Sequence, residues 1–253
     1  MHRPISRRRP GHTRRILRKL LHEDECRDAT EVEGNLLQIT DAGLSHLAAL
    51  TELRYVSLDR ASVTDAGLVH LSGLAQLEFL LLDGTAVSDA GLVHLKRLQK
   101  LERLYLDGTQ VTDAGLVDLL ILNRLQNLSL AHTQVTEAGL AHLRRLPQLR
   151  VLFLPPTRLT EAGLEQLAAM PRLEVLLFHE TQITDAGLAR LGKLPRLRSL
   201  FLYGQPVTDR WLTHLEGLTQ LGFVKLDATR ATDAGINRLR QALPQCTVLV
   251  EPH

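Results

Sequence analysis

Leucine falls along this chain in two alternating spacings, and the alternation repeats every 24 residues. One unit reads L-x-x-L-x-L-x-x-T-x-V-T-D-A-G-L-x-x-L-x-x-L-x-x. In the stretch that begins at Leu101, Leu104 and Leu106 lie two apart; Thr109, Val111 and a "TDAGL" run follow, and then Leu116 and Leu119 three apart. The step of two puts Leu104 and Leu106 on one face of a short strand. The step of three, as in Leu68, Leu71 and Leu74, predicts a helical segment. The hydroxyl that opens TDAGL recurs at Thr40, Thr64, Ser88, Thr112, Thr136, Thr160, Thr184, Thr208 and Thr232, without insertion or deletion. Threonine is a good helix N-cap, and the aspartate after it complements the helix dipole. Pro147, Pro171 and Pro195 stand where each helix must stop.

One strand and one helix in 24 residues cannot bury their apolar faces alone, so the units must stack. Strands pair in parallel at about 4.8 Å, whereas helices pack at roughly 8–10 Å, and the mismatch bends the stack. The expected fold is an α/β right-handed solenoid, a curved horseshoe of about nine repeats. Its parallel β-sheet lies on the concave face and its helices on the convex face.

The strand pattern L-x-x-L-x-L-x-x-T-x-V resembles that of leucine-rich repeats, with Thr where Asn or Cys is usual. More closely, residues 29–250 resemble the 24-residue TDAGL repeats of bacterial proteins, a GALA-like type. In place of the amide or thiol, Thr85, Thr109, Thr133, Thr157 and Thr181 offer a buried hydroxyl to the loop backbone. The resemblance implies a binding module, usually for proteins. Two domains are expected: a basic arm with a capping helix over residues 1–28, and the repeat domain over 29–253. The helix rests on Ile16, Leu17, Leu20 and Leu21, which share one helical face, with Thr13 as a cap. A last strand, "CTVLV", is expected to close the C-terminal end.

Three columns of strand residues point to the concave side. They read Tyr55, Phe79, Arg103, Asn127, Val151, Val175, Ser199, Phe223; then Ser57, Leu81, Tyr105, Ser129, Phe153, Leu177, Phe201, Lys225; then Asp59, Asp83, Asp107, Ala131, Pro155, His179, Tyr203, Asp227. Of nine aromatic residues, all but Phe178 and Trp211 fall in these columns, away from the leucine core. Exposed aromatic patches mark interaction sites, although aromatics also favour strands in general. The expected partner-binding strip is Tyr105, Phe153, Leu177, Phe201 and Tyr203, edged by His179 and Glu180. Asp59, Asp83 and Asp107 sit on adjacent strands, where like charges repel. They suit a basic segment of a protein partner or a cation, or else form a solvated rim.

Charge divides unevenly along the chain. Residues 1–22 carry eight basic side chains and no acidic one, while the remainder holds 22 basic and 28 acidic residues, a balance of −6. The arm supports a second reading, binding of nucleic acid or an anionic surface. His46, His70, His94, His142 and His214 share a helix slot, too far apart to converge on zinc. No nucleophile motif or phosphate-binding glycine loop appears, so no enzyme, metal or cofactor is expected. Cys26 and Cys246 lie near opposite ends and give no disulfide framework, and no apolar run is long enough to span a bilayer. These features fit a cytoplasmic monomer. One repeat departs from the rest. In "QPVTDRWLTHL" Arg210 and Trp211 replace Ala-Gly, which reads as a local packing change or a secondary contact site.

Overall fold

The computed structural model describes residues 31–33, 39–183, 190–204, 207–227 and 230–251. The capping helix expected in the arm lies outside them, as do Cys26 and Thr184.

Strands form where the leucine step is two: β1 Glu31–Glu33, β2 Tyr55–Ser57, β3 Phe79–Leu81, β4 Arg103–Tyr105, β5 Asn127–Ser129 and β6 Val151–Leu154. They continue as β7 Arg158–Leu159, β8 Val175–His179, β9 Gln182–Ile183, β10 Ser199–Tyr203, β11 Phe223–Asp227 and β12 Thr247–Glu251. Ten of them make one sheet in the order β1-β2-β3-β4-β5-β6-β8-β10-β11-β12, while β7 and β9 pair separately. Every pairing is parallel and keeps the 24-residue offset, as in Leu80↔Leu104 and Leu200↔Val224. The expected closing strand is β12, paired along its length with β11.

Helical segments form where the step is three, and in the early repeats the geometry matches that number. Asp65–Leu68 and Asp89–Leu92 are single α-turns that run on as 3₁₀ segments, and Gly115–Ile121 is 3₁₀ throughout. A 3₁₀-helix has three residues per turn, so leucines three apart share one face. Longer α-helices appear later, at Glu161–Ala168, Asp209–Leu215 and Asp233–Ala242. Between the two layers lies a continuous core in which Leu92, Leu95, Leu98, Leu101, Leu104 and Leu106 are fully buried.

The motif TDAGL does more than start a helix. Thr64, Ser88, Thr136 and Thr160 do cap, each accepting the N–H of the alanine two residues on, whereas Thr40 and Thr208 make no side-chain cap bond. The aspartate, expected as a dipole partner, instead reaches forward to the next repeat. Asp65 accepts the backbone N–H of Ser88 at 2.7 Å and its hydroxyl at 2.6 Å. The same pair of bonds joins Asp41 to Thr64, Asp89 to Thr112, Asp113 to Thr136, Glu137 to Thr160 and Asp209 to Thr232. The glycine then has its reason. A Cβ on Gly91 would stand 2.4 Å from Asp65 Oδ1, and one on Gly115 would stand 2.3 Å from Asp89 Oδ1. The commonest motif in the sequence is therefore an inter-repeat clamp, built within the chain itself.

Hydroxyls also close the turns after β3, β4 and β5. Thr85, Thr109 and Thr133 each donate to the carbonyl three residues back, at 2.6 Å, as the substitution for Asn requires. Trp211, in the slot of the motif glycine, is buried in the leucine core, while Arg210 beside it stays exposed. That is the packing change expected for this repeat.

Candidate functional site

Residues between the core leucines of each strand point to the sheet face opposite the helices. Strand register lines them up in a row that runs Ser57, Leu81, Tyr105, Ser129, Phe153, Leu177, Phe201, Lys225 and Leu249. On β6, β8 and β10 this face holds an apolar cluster separate from the leucine core: Val151, Phe153, Val175, Leu177, Phe201 and Tyr203. Tyr105 and Phe223 pack against its two ends. The rings of Phe201 and Tyr203 stack with centroids 6.3 Å apart, and Phe223 tilts against Phe201 at 5.2 Å.

The structure thus brings together Tyr105, Phe153, Leu177, Phe201 and Tyr203, but corrects their expected exposure. Phe201 is 0% exposed and Phe153, Leu177 and Tyr203 are buried as well; only Tyr105 is half-buried. Strand spacing of about 4.8 Å sets each bulky side chain against those on both flanking strands, which removes its sides from water.

Asp59, Asp83 and Asp107 lie two residues past the ends of β2, β3 and β4. Repulsion between them left no stabilising reason for the column in the sequence, and the structure supplies one. Asp83 Oδ1 accepts the backbone N–H of Asp107 at 3.0 Å, and Asp107 Oδ1 accepts that of Ala131 at 3.0 Å together with the Ser129 hydroxyl. The Asp83 and Asp107 carboxylates thus tie their strand ends to the next repeat. Arg103, in the same region, lies over the Phe79 ring at 4.5 Å.

His179 lies in the same column as these aspartates, three strands further along the sheet on β8, stacked at 6.5 Å on Tyr203 and edge-on to His132 at 4.6 Å. Burial, and then the neighbouring His132, hold its pKa below the ordinary histidine value. Sequence reading missed His132. It stands at a strand-end position where Gly84, Gly108 and Gly204 take φ of 67°, 70° and 63°, and where Arg60, His132 and Glu180 take 59°, 56° and 48°. Left-handed backbone favours glycine, so the departures from glycine in that column were the available signal. Glu180 itself is exposed at the edge of the strip.

Lys225 follows Phe201 in the row as a side chain only 1% exposed, its Nζ 2.8 Å from Glu251 and 5.1 Å from the centre of the Tyr203 ring. Burial lowers its pKa, but the Glu251 bond and the nearby Tyr203 outweigh it, and the net shift is upward. His70, His94, His142 and His214 are half-buried on the helical side. Among the described residues no three His, Cys, Asp or Glu side chains converge where a metal could sit, and no helix is long and apolar enough to cross a membrane.

No protein-family profile matches the chain, and no curated protein matches it either. Solved structures do. Internalin C2 from Listeria monocytogenes is 24% identical with a TM-score of 0.58, and the match covers 84% of each chain. An internalin (inlF) from the same organism is 22% identical with a TM-score of 0.56, covering 83% of this chain and 70% of that one. Both are leucine-rich repeat proteins. The likeness carries the fold: this chain is a leucine-rich-repeat solenoid, with a parallel sheet backed by helical segments.

Proposed function

We propose that the chain is a non-enzymatic protein-interaction module, acting as a cytoplasmic monomer, whose concave face takes a partner carrying a basic segment. The observation that carries this reading is the second apolar cluster. Val151, Phe153, Val175, Leu177, Phe201 and Tyr203 lie on the side of the sheet that faces away from the helices. The solenoid closes its core without them, and large aromatic side chains grouped at one place are what interface centres are made of. Tyr105 and Phe223 form the rim, His179 and Glu180 one edge, and Asp59, Asp83 and Asp107 orient the basic segment. The one described cysteine, Cys246, is half-buried, and burial raises its thiol pKa, which keeps it in the unreactive form.

Affinity capture with mass spectrometry on the full chain tests the reading. Wild type is compared with a Tyr105→Ala, Phe223→Ala variant, because both residues are half-buried and their loss spares the fully buried Phe201. Loss of two rim aromatics at about 1–2 kcal/mol each lowers capture by at least roughly tenfold, with the circular dichroism spectrum unchanged. Equal recovery from both proteins sinks the concave-face reading.

A further inference from the structure

One edge of the helical layer segregates charge. Where the helical segments run on towards the next strand, five successive repeats carry residues 96–100, 120–124, 144–148, 168–172 and 192–196, which together hold nine Lys or Arg and no Asp or Glu. The 24-residue register stacks these segments side by side, and their side chains meet. Lys100 Nζ donates to Gln76 Oε1 and the Arg172 guanidinium to Gln148 Oε1, each one repeat back. Over four repeat intervals the stripe runs at least about 19 Å at the strand spacing. Cations in a last helical turn complement the helix dipole, which accounts for Lys96 and Arg97. Lys100, Arg124 and Arg172 lie past the helix ends at Arg97, Ile121 and Ala168, where that reason lapses.

Neighbouring carboxylates are committed elsewhere. Asp118 pairs with Lys96 at 2.7 Å and Glu174 with Arg150 at 2.8 Å, while Asp89, Asp113 and Glu137 hold the inter-repeat clamps. Arg97, Arg124, Arg144 and Arg145 are exposed and, among the described residues, make no ion pair. Beside them the same layer exposes aliphatic side chains. Val69, Val93 and Val117 hold one slot in consecutive repeats at 46%, 42% and 47% exposure, and Ile121, one turn after Val117, is 48% exposed. The solenoid does not require them, since Ser45, Ala141 and Glu165 fill that slot in other repeats.

We propose that this face of the helical layer lies on an anionic phospholipid bilayer, with Arg97, Arg124, Arg144 and Arg145 among the headgroups and Val93, Val117 and Ile121 at the acyl boundary. A polyanion such as nucleic acid accounts for the cations but leaves the exposed aliphatics without a role. The centre of a protein interface favours Tyr, Trp and Phe, and none falls within 88–100, 112–124 or 136–148. An anionic bilayer uses both features at once and asks no fixed geometry of the charges. The contact is peripheral and reversible. It leaves the concave face, on the other side of the sheet, open to its partner, and neither reading depends on the other.

Co-sedimentation of the full chain with vesicles tests this, using phosphatidylcholine alone and an equal mixture with phosphatidylglycerol. The eight basic residues of 1–22 are changed to glutamine in every protein used, so that the readout belongs to the repeats. The parent protein sediments with the mixed vesicles and not with phosphatidylcholine alone. A cation near an anionic surface contributes about fivefold in affinity, so Arg97→Gln, Arg124→Gln, Arg144→Gln, Arg145→Gln together lower binding at least about tenfold. Arg54→Gln, Arg60→Gln, Arg158→Gln, Arg230→Gln remove the same charge from exposed positions outside the stripe, and binding is retained. Val93→Ser, Val117→Ser, Ile121→Ser keep every charge and lower affinity at least about fivefold. All these side chains are exposed, and circular dichroism checks that the fold is intact. Three results overturn the inference: no sedimentation with the mixed vesicles, equal losses in the two arginine variants, or full binding by the serine variant. A short DNA duplex at equal phosphate concentration is the last comparison. Weaker binding to the duplex than to vesicles supports the bilayer; equal or tighter binding assigns the stripe to nucleic acid and overturns the inference. None of these outcomes bears on the partner-capture experiment, which reads the opposite face.

Discussion

Asp89 and Thr112, 23 residues apart in sequence, are joined by two hydrogen bonds: the Thr112 backbone N–H reaches Asp89 Oδ1 at 2.8 Å and its hydroxyl reaches Oδ2 at 2.6 Å. The same hydroxyl accepts the N–H of Ala114 at 3.2 Å, so one threonine both caps its own helical turn and receives the preceding repeat. Asp89→Ala removes both bonds and leaves a part-buried N–H without its acceptor. The expected loss is about 1–3 kcal/mol. A double-mutant cycle with Thr112→Val in urea denaturation checks it: the two changes together must cost less than their sum. Additive costs would show that the clamp carries no coupling.

Gly115 tests the other half of the clamp. An added Cβ would lie 2.3 Å from Asp89 Oδ1 and 3.0 Å from Leu92 Cδ1, so the clamping carboxylate of the neighbouring repeat must shift. Gly115→Ala is expected to destabilise by about 1–3 kcal/mol, despite the better helix propensity of alanine. Gly73, with nothing within 4 Å of its added Cβ, is the internal comparison. Gly73→Ala is expected to be neutral or to stabilise by up to about 1 kcal/mol. Thermal melts of both variants decide it, and equal shifts in the same direction exclude the steric account.

These two residues also show how far the sequence could be read. Leucine spacing predicts strands, helical turns and the 24-residue register, because periodicity is set by backbone geometry that a string records directly. Threonine capping was visible for the same local reason. The reach of Asp89 to Thr112 was not, since it joins adjacent repeats across space, and each residue already had a sufficient local role. Likewise the concave columns could be enumerated, and the structure assembles Phe153, Leu177, Phe201 and Tyr203 as one cluster. Their burial could not be enumerated, because it depends on how side chains of adjacent strands pack against one another. His132 escaped notice because its left-handed backbone, and its place beside His179, are properties of the folded turn.

Lys225 presents a different balance of terms. A lysine 1% exposed is tolerated because Glu251 on the neighbouring strand lies 2.8 Å from its ammonium group. Glu251→Gln withdraws the countercharge and is expected to cost about 1–3 kcal/mol, the lower part of the range for buried pairs because the Glu251 side chain is partly in water. Lys225→Met is expected to be milder, since it removes the buried charge along with its partner's task. The folded-state pKa of Lys225 is raised. The stabilisation is therefore complete below the ordinary lysine value and lost as pH climbs through the raised one. Chemical denaturation of the three proteins from neutral to alkaline pH measures this. A wild type that loses no more stability than Lys225→Met over that range contradicts it.

His179 gives the opposite dependence, on the acid side. Its folded pKa lies below the ordinary histidine value, chiefly through burial and secondarily through His132, so the unfolded chain takes up the proton first. Where the unfolded state binds more protons, stability rises with pH. The contribution is therefore full above the ordinary histidine value and is lost as pH falls from there to the depressed folded value. Between about pH 7 and pH 5 the melting temperature of wild type should drop more steeply than that of His179→Gln, which has no proton to gain. His132→Gly separates the two causes. Burial remains, so the slope shrinks only in part, while relief of a side chain held at φ 56° adds up to about 1 kcal/mol at neutral pH. If His132→Gly abolishes the slope as fully as His179→Gln does, the charge of the neighbouring ring, and not burial, sets the pKa of His179.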